Sequence, residues 1–387
     1  VDQQGDTCTT VGSAVLARAG SSSEIEQALQ QYASAGTVTI ISSLIQHQNL
    51  ALRQSKLRRR TTDEVDVSGL NFNIGGELVS VGQLANLLLG EKLSVASADS
   101  TSLNNKPGFF ATGTISIGER DKTDNATGFD FTTGGLTVGS DYAITDHLFL
   151  GGALGYSRVD SDLDNSVGEL NADGFSVAIY STYNNPNGFY VDGIVRVGRS
   201  DYEQDRTFIL DGTLQKAAAD YDSTDYSLSL STGYDINSGS WNLQPFARID
   251  YVEVDIDSFD EKAETVGASS SLLTIDDQNI SSLQSALGGQ FSYTLSTQQG
   301  VFVPILRFEW QHEFKDNSRT INSQLITDPT VQTSLETDNP DRDFFNLGAG
   351  VTGVFANGIM GFLYYEYMLG HSEISQHTIN GGIRIEF

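Results

Sequence analysis

Two short patterns in this 387-residue sequence use the residue types that bind nucleotides or metal ions. Residues 348–353 read Gly-Ala-Gly-Val-Thr-Gly, which matches G-x-G-x-x-G, whose glycines let a pyrophosphate approach the backbone at the start of a helix. Asp160, Asp162 and Asp164 imitate the opening of a calcium-binding loop, in which alternate carboxylates ligate the ion. Either pattern forms a site only if the neighbouring residues supply the remaining ligands and the required element.

The neighbouring residues do not meet these requirements. A dinucleotide site needs a helix after the glycines, whereas 348–353 lie inside an alternating segment that predicts a strand. The aspartate series has Asn165 where the loop needs glycine and Asn171 where it needs glutamate, so we interpret it as a solvated acidic loop. His312 and Glu313 lack the second histidine of a zinc helix, and no G-x-S-x-G elbow occurs. We therefore expect no catalytic residue, no cofactor and no metal ion.

Charge is distributed unevenly along the chain. Six basic and four acidic residues give 1–60 a net charge of +2, and the remaining 16 basic and 46 acidic residues give −30. A body this acidic argues against nucleic acid as a partner, because phosphate contacts need clustered Lys and Arg. The single cysteine, Cys8, excludes a disulfide within the chain. No segment reaches the ~20 consecutive apolar residues that a transmembrane helix needs.

Three regions with different patterns follow one another. Residues 1–60 predict helix, with S-x-x-E at 23–26 and S-x-x-Q at 43–46 as capping boxes. Residues 61–107 form a transition segment. From 108 to 387 apolar and polar residues alternate with a period of two, which is typical of strands with one apolar and one polar face. This pattern predicts twelve strands: 109–120, 128–142, 148–159, 170–183, 189–200, 225–236, 241–254, 281–295, 301–313, 343–354, 359–369 and 375–387.

The connections between these strands favour a transmembrane barrel. Connections after the even-numbered strands are short turns, whereas those after strands 1, 3, 5, 7 and 9 are longer and acidic. This asymmetry is typical of outer-membrane barrels, which have tight turns at one end and long loops at the other. A closed barrel of strands also leaves no unpaired edge in lipid. We expect interfacial aromatic girdles from Tyr142, Phe149, Tyr156, Tyr183, Phe189, Tyr190, Tyr251, Tyr365 and Tyr367.

Several segments resemble the C-terminal translocator domain of classical, type Va autotransporters. These are LGGALGYSRVDSDLD at 150–164, DNPDRDFFNLGAGV at 338–351 and GGIRIEF at 381–387. With the predicted order of one helix before twelve strands, these segments support a resemblance that covers roughly residues 43–387. It implies that an N-terminal passenger crosses the outer membrane through the barrel, and that Ile383, Ile385 and Phe387 form the assembly signal.

The resemblance also implies that the segment before the barrel lies in the lumen as a helix. Ser43 to Arg60 fits, because about 18 residues at ~1.5 Å each span roughly 27 Å. Family members that cleave themselves carry an Asn-Asn pair on this helix, whereas here Asn49 precedes Leu50, so we do not transfer the cleavage. Small residues at 348–353 would leave room for the helix.

The same helix carries a dense basic cluster, which consists of Arg53, Lys56, Arg58, Arg59 and Arg60. Like charges this close repel along a free helix, so we expect acidic partners. Candidate partners in the lumen are Asp192, Asp250, Glu309, Glu366 and Glu386. We predict that the helix plugs the pore and pairs with this acidic wall.

We conclude from the sequence that this is an all-β, 12-stranded antiparallel transmembrane barrel with an N-terminal helix. Its predicted function is to carry or anchor a passenger across the bacterial outer membrane, with long loops outside and short turns in the periplasm. Expected partners are outer-membrane lipids, the barrel assembly machinery and the passenger, and we expect a monomer. The alternatives are a plain pore or, with a Ser beside an outward His312, an outer-membrane lipid hydrolase.

Overall fold

A computed structural model describes residues 22–58, 71–74, 77–80, 108–164, 167–210, 212–297, 300–355 and 359–385. Helix α1 is Ser22–Arg58, and a small hairpin pairs Asn71–Ile74 with Glu77–Ser80. Twelve long strands follow: β1 Gly108–Arg120, β2 Phe129–Thr145, β3 Leu148–Leu163, β4 Glu169–Asn184, β5 Phe189–Leu210, β6 Thr213–Tyr234, β7 Trp241–Ile256, β8 Gln278–Tyr293, β9 Gly300–Glu313, β10 Asp343–Phe355, β11 Ile359–Leu369 and β12 Ile374–Ile385.

These strands form a closed antiparallel barrel. Each strand pairs with the next along the chain, and β12 pairs with β1 from Ile374↔Arg120 to Gly381↔Gly113. The closure satisfies the backbone groups that would otherwise form open edges. The predicted twelve-stranded barrel is therefore confirmed. No helix in the described ranges is long and apolar enough to cross a membrane.

An apolar band surrounds the barrel near the short-turn end. On β4, Phe175, Val177 and Ile179 point outward and are 63%, 53% and 62% exposed. Their neighbours on the strand point inward, where small and polar residues such as Thr182 are buried. An exposed apolar outer face and a polar inner face are what a barrel in lipid requires.

The polarity of the two faces inverts farther along the strands. On β5, Val195 and Val197 are outward, but the next outward residues are Arg199, Asp201 and Glu203. On the inner face the change is opposite, because the polar residues of the lumen give way to large apolar and aromatic ones such as Phe129, Val159, Leu170, Tyr202 and Val254. The barrel therefore continues beyond the apolar band as a structure with a polar exterior and an apolar core.

We call this extension the cap, which comprises the β5–β6 hairpin beyond 200–223, the adjoining ends of β2–β4 and β7–β8, and the connections 257–277 and 314–342. The two connections form a four-stranded antiparallel sheet in the order Phe259–Asp260, Leu273–Ile275, Thr320–Leu325 and Gln332–Glu336. This sheet packs against the N-terminal half of α1. The cap thus encloses the helix at the long-loop end.

The prediction of a long loop after the fifth strand is wrong. β5 and β6 pair continuously up to Leu210↔Thr213, so residues assigned to a loop form a projecting hairpin. Asp160 and Asp162 likewise lie on β3 rather than in a loop. The reason is the same in both places: the alternation continues, but its polarity inverts at the edge of the apolar band.

Two of the expected girdle aromatics point inward instead. Phe149 and Tyr190 are buried, whereas Tyr156, Tyr183, Phe189 and Tyr365 lie on the exposed outer face. Phe149 is adjacent to the outward Leu150, and Tyr190 to the outward Phe189, so the period of two excludes them from the girdle.

Candidate functional site: the helix-filled lumen

One continuous helix runs through the barrel. Its 37 residues correspond to about 55 Å at ~1.5 Å per residue, roughly twice the length expected from 43–60. Near its start, Gln30 donates to the carbonyl oxygen of Asp124 in the β1–β2 connection at 2.7 Å. At its end, Asn184, the last residue of β4 before the short β4–β5 turn, donates to the Arg58 carbonyl oxygen at 3.0 Å. The helix therefore begins at the long-loop end and finishes at the short-turn end.

The prediction that Ser43 caps the N-terminus of a helix is wrong. Ser43 lies in the middle of α1, where its hydroxyl donates to Asp225 on β6 at 3.2 Å. The side chain therefore satisfies a group on the barrel wall rather than a free helix terminus. The S-x-x-Q spacing at 43–46 instead places Ser43 and Gln46 toward the wall, since residues three apart lie on the same side of a helix.

Amide side chains join the lower half of α1 to the lumen wall. Gln46 donates to the Tyr156 carbonyl oxygen at 2.9 Å and accepts from the Thr137 hydroxyl at 2.6 Å. Asn49 donates to Thr137 at 3.1 Å, and Gln54 donates to the Ser181 carbonyl oxygen at 2.9 Å. These three buried amide side chains of the lower half are therefore hydrogen-bonded to the wall, as buried amides require.

Glycines on the wall let the helix approach closely. A Cβ atom on Gly135 of β2 would overlap the side chain of Ile45, and one on Gly155 of β3 would overlap Gln46. The neighbouring Gly134 faces outward, and a Cβ there would meet nothing within 4 Å. Inward glycines therefore form part of the surface on which the helix packs.

Two members of the basic cluster contact acidic residues of the wall. Arg53 donates from Nε and Nη2 to both carboxylate oxygens of Asp141, at 2.7 and 3.0 Å, and both side chains are buried. Arg58 pairs with Asp192, and its guanidinium lies 3.9 Å from the ring centroid of Tyr190. Such buried, hydrogen-bonded pairs are far less screened by water than surface pairs.

Asp141 was missed by the sequence reasoning. It occupies an inward position of β2, in phase with Thr137 and Gly135, and this phase was the signal that could have identified it. The side chain of Lys56, together with Arg59, Arg60 and Glu386, lies outside the described residues.

Three expected acidic partners do not reach the helix, which corrects that part of the prediction. Asp250 accepts from Arg248 at 2.5 Å, Glu309 accepts from both Arg248 and Arg307, and Glu366 accepts from the Tyr364 hydroxyl at 2.9 Å. The physical reason is that α1 packs mainly against β1–β5, whereas these acids lie on β7, β9 and β11 and face a cavity. Arginines of the barrel, and not of the helix, balance the two carboxylates of Asp250 and Glu309.

A cavity of about 950 Å³ lies beside the helix and is lined in large part by residues of β7–β12. His47 and Gln48 line it from the helix, and Asp250 and Asn346 line it from the wall. Both ring nitrogens of His47, Gln48 Oε1, Asp250 Oδ1 and Asn346 Oδ1 are buried without a hydrogen-bond partner among the described residues. A cavity of this size, with such polar atoms on its wall, is large enough to hold water. The lumen is therefore only partly filled by the helix.

The patterns that resembled chemical sites have other roles. Residues 348–353 lie within β10, where a Cβ on Gly348 or Gly350 would collide with Tyr364, so these glycines make room for a tyrosine rather than for the helix. No cluster of three metal-ligating side chains occurs in the part of the chain that the structure describes. Asp160 pairs with the exposed Arg158 on the outer face.

One row of residues on the outer wall bears on the hydrolase alternative. In the β-sheet register, Ser285 of β8 lies opposite His312 of β9, which in turn lies opposite Asp343 of β10. His312 Nδ1 is 2.9 Å from Asp343 Oδ1, and Trp310 Nε1 donates to the same oxygen at 3.0 Å. No hydrogen bond between Ser285 and His312 occurs within the described residues.

The assembly signal expected at the C-terminus is only partly covered. Ile383 and Ile385 lie on β12, beside β11, but their side chains and Phe387 fall outside the described residues.

A closed β-barrel with an apolar outer band and a helix inside defines a transmembrane barrel of the outer-membrane type. Its fold matches the translocator domain of autotransporter NalP from Neisseria meningitidis, with a TM-score of 0.56, 17% identity and coverage of 73% of this chain and 88% of that one. The β-domain of the Bordetella autotransporter BrkA matches with a TM-score of 0.50, 21% identity and coverage of 72% and 98%.

The family model described as "Autotransporter beta-domain" matches residues 109–366. The chain belongs to this family, and its barrel is an outer-membrane translocator for a passenger polypeptide. Relatives include esterase EstA of Pseudomonas aeruginosa, 24% identical over 271 residues, and probable autotransporter YpjA of Escherichia coli, 26% identical over 246 residues. The matches cover 69% and 61% of this chain but only 41% and 14% of those relatives, so the chain spans less than half their length.

Proposed function

We propose that the passenger precedes α1 and leaves the barrel at the long-loop end, which faces the exterior, while the short turns face the periplasm. The observation that carries this proposal is the direction of α1, whose first residues lie at the long-loop end and whose last residues lie at the short-turn end. A polypeptide attached to the start of α1 would therefore emerge beside the long loops. The longer, acidic connections suit an aqueous exterior.

In this proposal the basic cluster fastens the linker after passage. Arg53 and Arg58 hold the lower part of α1 against Asp141 and Asp192, and the cavity beside it, with polar atoms on its wall that are unpaired among the described residues, would hold water. Lys56, Arg59 and Arg60 would add charge at the periplasmic mouth, and Glu386 is a candidate partner there. Residues 1–60 then form the linker, 61–107 the transition and 108–387 the translocator.

The remaining partners follow from the surface. The apolar band fits outer-membrane lipids, and we propose that Ile383, Ile385 and Phe387 are recognised by the barrel assembly machinery. Closure of β12 on β1 completes the sheet without a second chain, which favours a monomer. The acidic body disfavours nucleic acid.

The test is export of a reporter fused before Val1. In cells that produce the fusion, added protease should remove the reporter while the barrel stays intact, because the reporter lies outside. The same fusion to a chain lacking 109–366 is the control and should leave the reporter protected. A reporter that remains protected on the intact barrel contradicts the proposed function.

We propose that the barrel has no catalytic role, and the row of Ser285, His312 and Asp343 provides a direct test. If this row hydrolysed lipid esters, detergent-solubilised protein would release fatty acid, and Ser285→Ala would abolish the release. We expect equal, background rates for the parent and the variant. A pore function is tested by comparing the single-channel conductance of the chain with and without residues 1–60.

A further inference from the structure

The two halves of α1 are buried in different surroundings. Ile25, Leu29, Tyr32, Val38 and Ile41 belong to one large apolar cluster inside the cap. Below Ile45, the helix contributes Leu50 and Leu57 to a second, smaller cluster, and its other buried side chains are polar: Gln46, His47, Asn49, Arg53 and Gln54. The helix thus changes from an apolar to a mainly polar surface between residues 41 and 46.

The inner wall of the barrel changes polarity at the same level. The apolar cluster takes Phe129, Val159, Leu170, Val254 and Ile280 from five strands, all beyond the apolar outer band. Below that level, polar inward residues contact the helix, namely Thr137, Asp141, Asp225 and Asp192, beside the smaller apolar cluster around Leu50 and Leu57. The change in polarity along the helix therefore matches the change along the wall in the observed axial position.

A buried polar clasp fixes this position inside the cap. The Tyr32 hydroxyl donates to Glu261 Oε1 at 2.7 Å, and Arg206 donates to both oxygens of Glu261 at 2.6 Å. Around the clasp, the rings of Tyr202, Tyr221 and Phe259 stack at centroid distances of 4.9 and 4.2 Å. Glu261 and Phe259 come from the β7–β8 connection, so the clasp joins the helix to this part of the cap.

The opposite side of the helix is held by the β9–β10 connection. Arg319 donates to the Ala33 carbonyl oxygen at 3.1 Å, and a Cβ on Gly36 would collide with the Arg319 guanidinium. Burial, together with the nearby charge of Arg120, lowers the pKa of Arg319 to about 10. A buried guanidinium is tolerated here because a helix carbonyl accepts from it.

We propose that the apolar interior of the cap is a binding surface for the first half of α1 and acts as the stop that ends outward movement of the linker. This inference rests on the proposed function. Retraction by one turn would carry Leu29 and Tyr32 toward the polar lumen, whereas advance by one turn would lift Arg53 away from Asp141. Both movements unpair buried polar groups or expose apolar ones, so the helix has a single resting register.

The experiment measures the axial position of the helix in the full chain. With Cys8→Ser as background, spin labels are placed on cysteines introduced at the exposed Glu26, at the top of α1, and at the exposed Asp146, in the β2–β3 turn. The parent should give one narrow distance distribution. Ile25→Gln with Leu29→Gln should broaden it or shift it by at least one helical turn, about 5 Å.

The matched control is Gln27→Ala, which changes an exposed residue of the same turn and should leave the distribution unchanged. If the double variant does not insert, Leu29→Ala is measured instead, with heat-modifiable migration on a gel confirming a folded barrel. A narrow, unshifted distribution in a folded variant overturns the stop. A reporter that the parent fails to export would instead overturn the proposed function, because the resting register is measured independently of export.

Discussion

At the residue scale, the contact between Arg53 and Asp141 is the most informative ion pair of the lumen. It is bidentate, fully buried and reinforced by the Tyr180 hydroxyl, which donates to Asp141 at 2.9 Å. Removing one member of such a pair leaves the other buried without its counter-ion. The loss is therefore dominated by the unpaired charge and not by the strength of the pair itself.

We predict that Arg53→Gln lowers the stability of the folded barrel by about 3–5 kcal/mol, the usual cost of breaking a buried pair. The temperature at which heat abolishes the compact gel form should fall accordingly. Arg53→Gln combined with Asp141→Asn should recover part of the loss, because no charge is then unpaired. Arg158→Gln is the matched control: its pair with Asp160 is exposed, and exposed pairs contribute only ~0–1 kcal/mol. Equal losses for the buried and exposed arginines would contradict the prediction.

Individual contacts could be predicted only as far as the inward and outward alternation along each strand reveals them. The sequence located the basic cluster and Asp192, since both charge and strand phase are visible in it. It assigned Asp250 and Glu309 to the helix because inward direction alone does not show on which side of the lumen the helix packs. The helix packs on β2 and β3 because inward glycines there let it approach the wall closely. In the alternation pattern, these glycines appear only as residues that weaken a strand.

At the scale of elements, the adjacent residues Gly134 and Gly135 of β2 face opposite sides of the wall. We predict that Gly135→Val displaces α1, because its side chain would overlap Ile45, and that the unfolding temperature falls. Gly134→Val is the control at the next position, where the side chain meets open space and valine favours strands. The displaced helix should also become sensitive to protease added to solubilised protein. Identical behaviour of the two variants would show that the helix is not seated on β2.

The elements outside the apolar band were the hardest to predict. β5 and β6 each extend ten or more residues beyond the strand ends expected from the alternation. A strand was expected to end where its outer face became acidic, but pairing continues there because the inner face finds apolar partners in the cap. The S-x-x-Q pattern at 43–46 predicts a helix start inside what is one continuous helix. The pattern misleads because the Ser43 side chain bonds to the barrel wall and not to a helix terminus.

At the scale of the whole molecule, the helix fills one side of the lumen and leaves a cavity of about 950 Å³ on the other. We predict that Arg53→Glu with Arg58→Glu raises single-channel conductance in planar bilayers severalfold, since each new carboxylate would repel Asp141 or Asp192 and release the lower half of α1. Glu26→Gln, which alters charge on an exposed part of the helix, is the control. Unchanged conductance in the double variant would mean that these pairs do not hold the plug.

Assembly of the complete barrel depends on joining β12 to β1. We predict that deletion of Phe387 reduces the amount of protein in the outer-membrane fraction at least severalfold while synthesis remains unchanged. Glu386→Gln, at the adjacent position, should insert like the parent. Quantification of membrane fractions by immunoblot distinguishes the two, and full insertion without Phe387 would contradict its role as an assembly signal.

The inversion of polarity along each strand has a consequence for how such chains are recognised from sequence. Averaged over all 22 residues of β5, the two opposite phases partly cancel, so a window of that length underestimates a strand that is strongly two-sided throughout. The point at which the outer face of a strand changes from apolar to polar marks depth in the membrane. It lies between Val197 and Arg199 on β5, and between Tyr226 and Thr224 on the paired strand β6. Collecting these points strand by strand would trace the outer lipid boundary around the barrel from sequence alone.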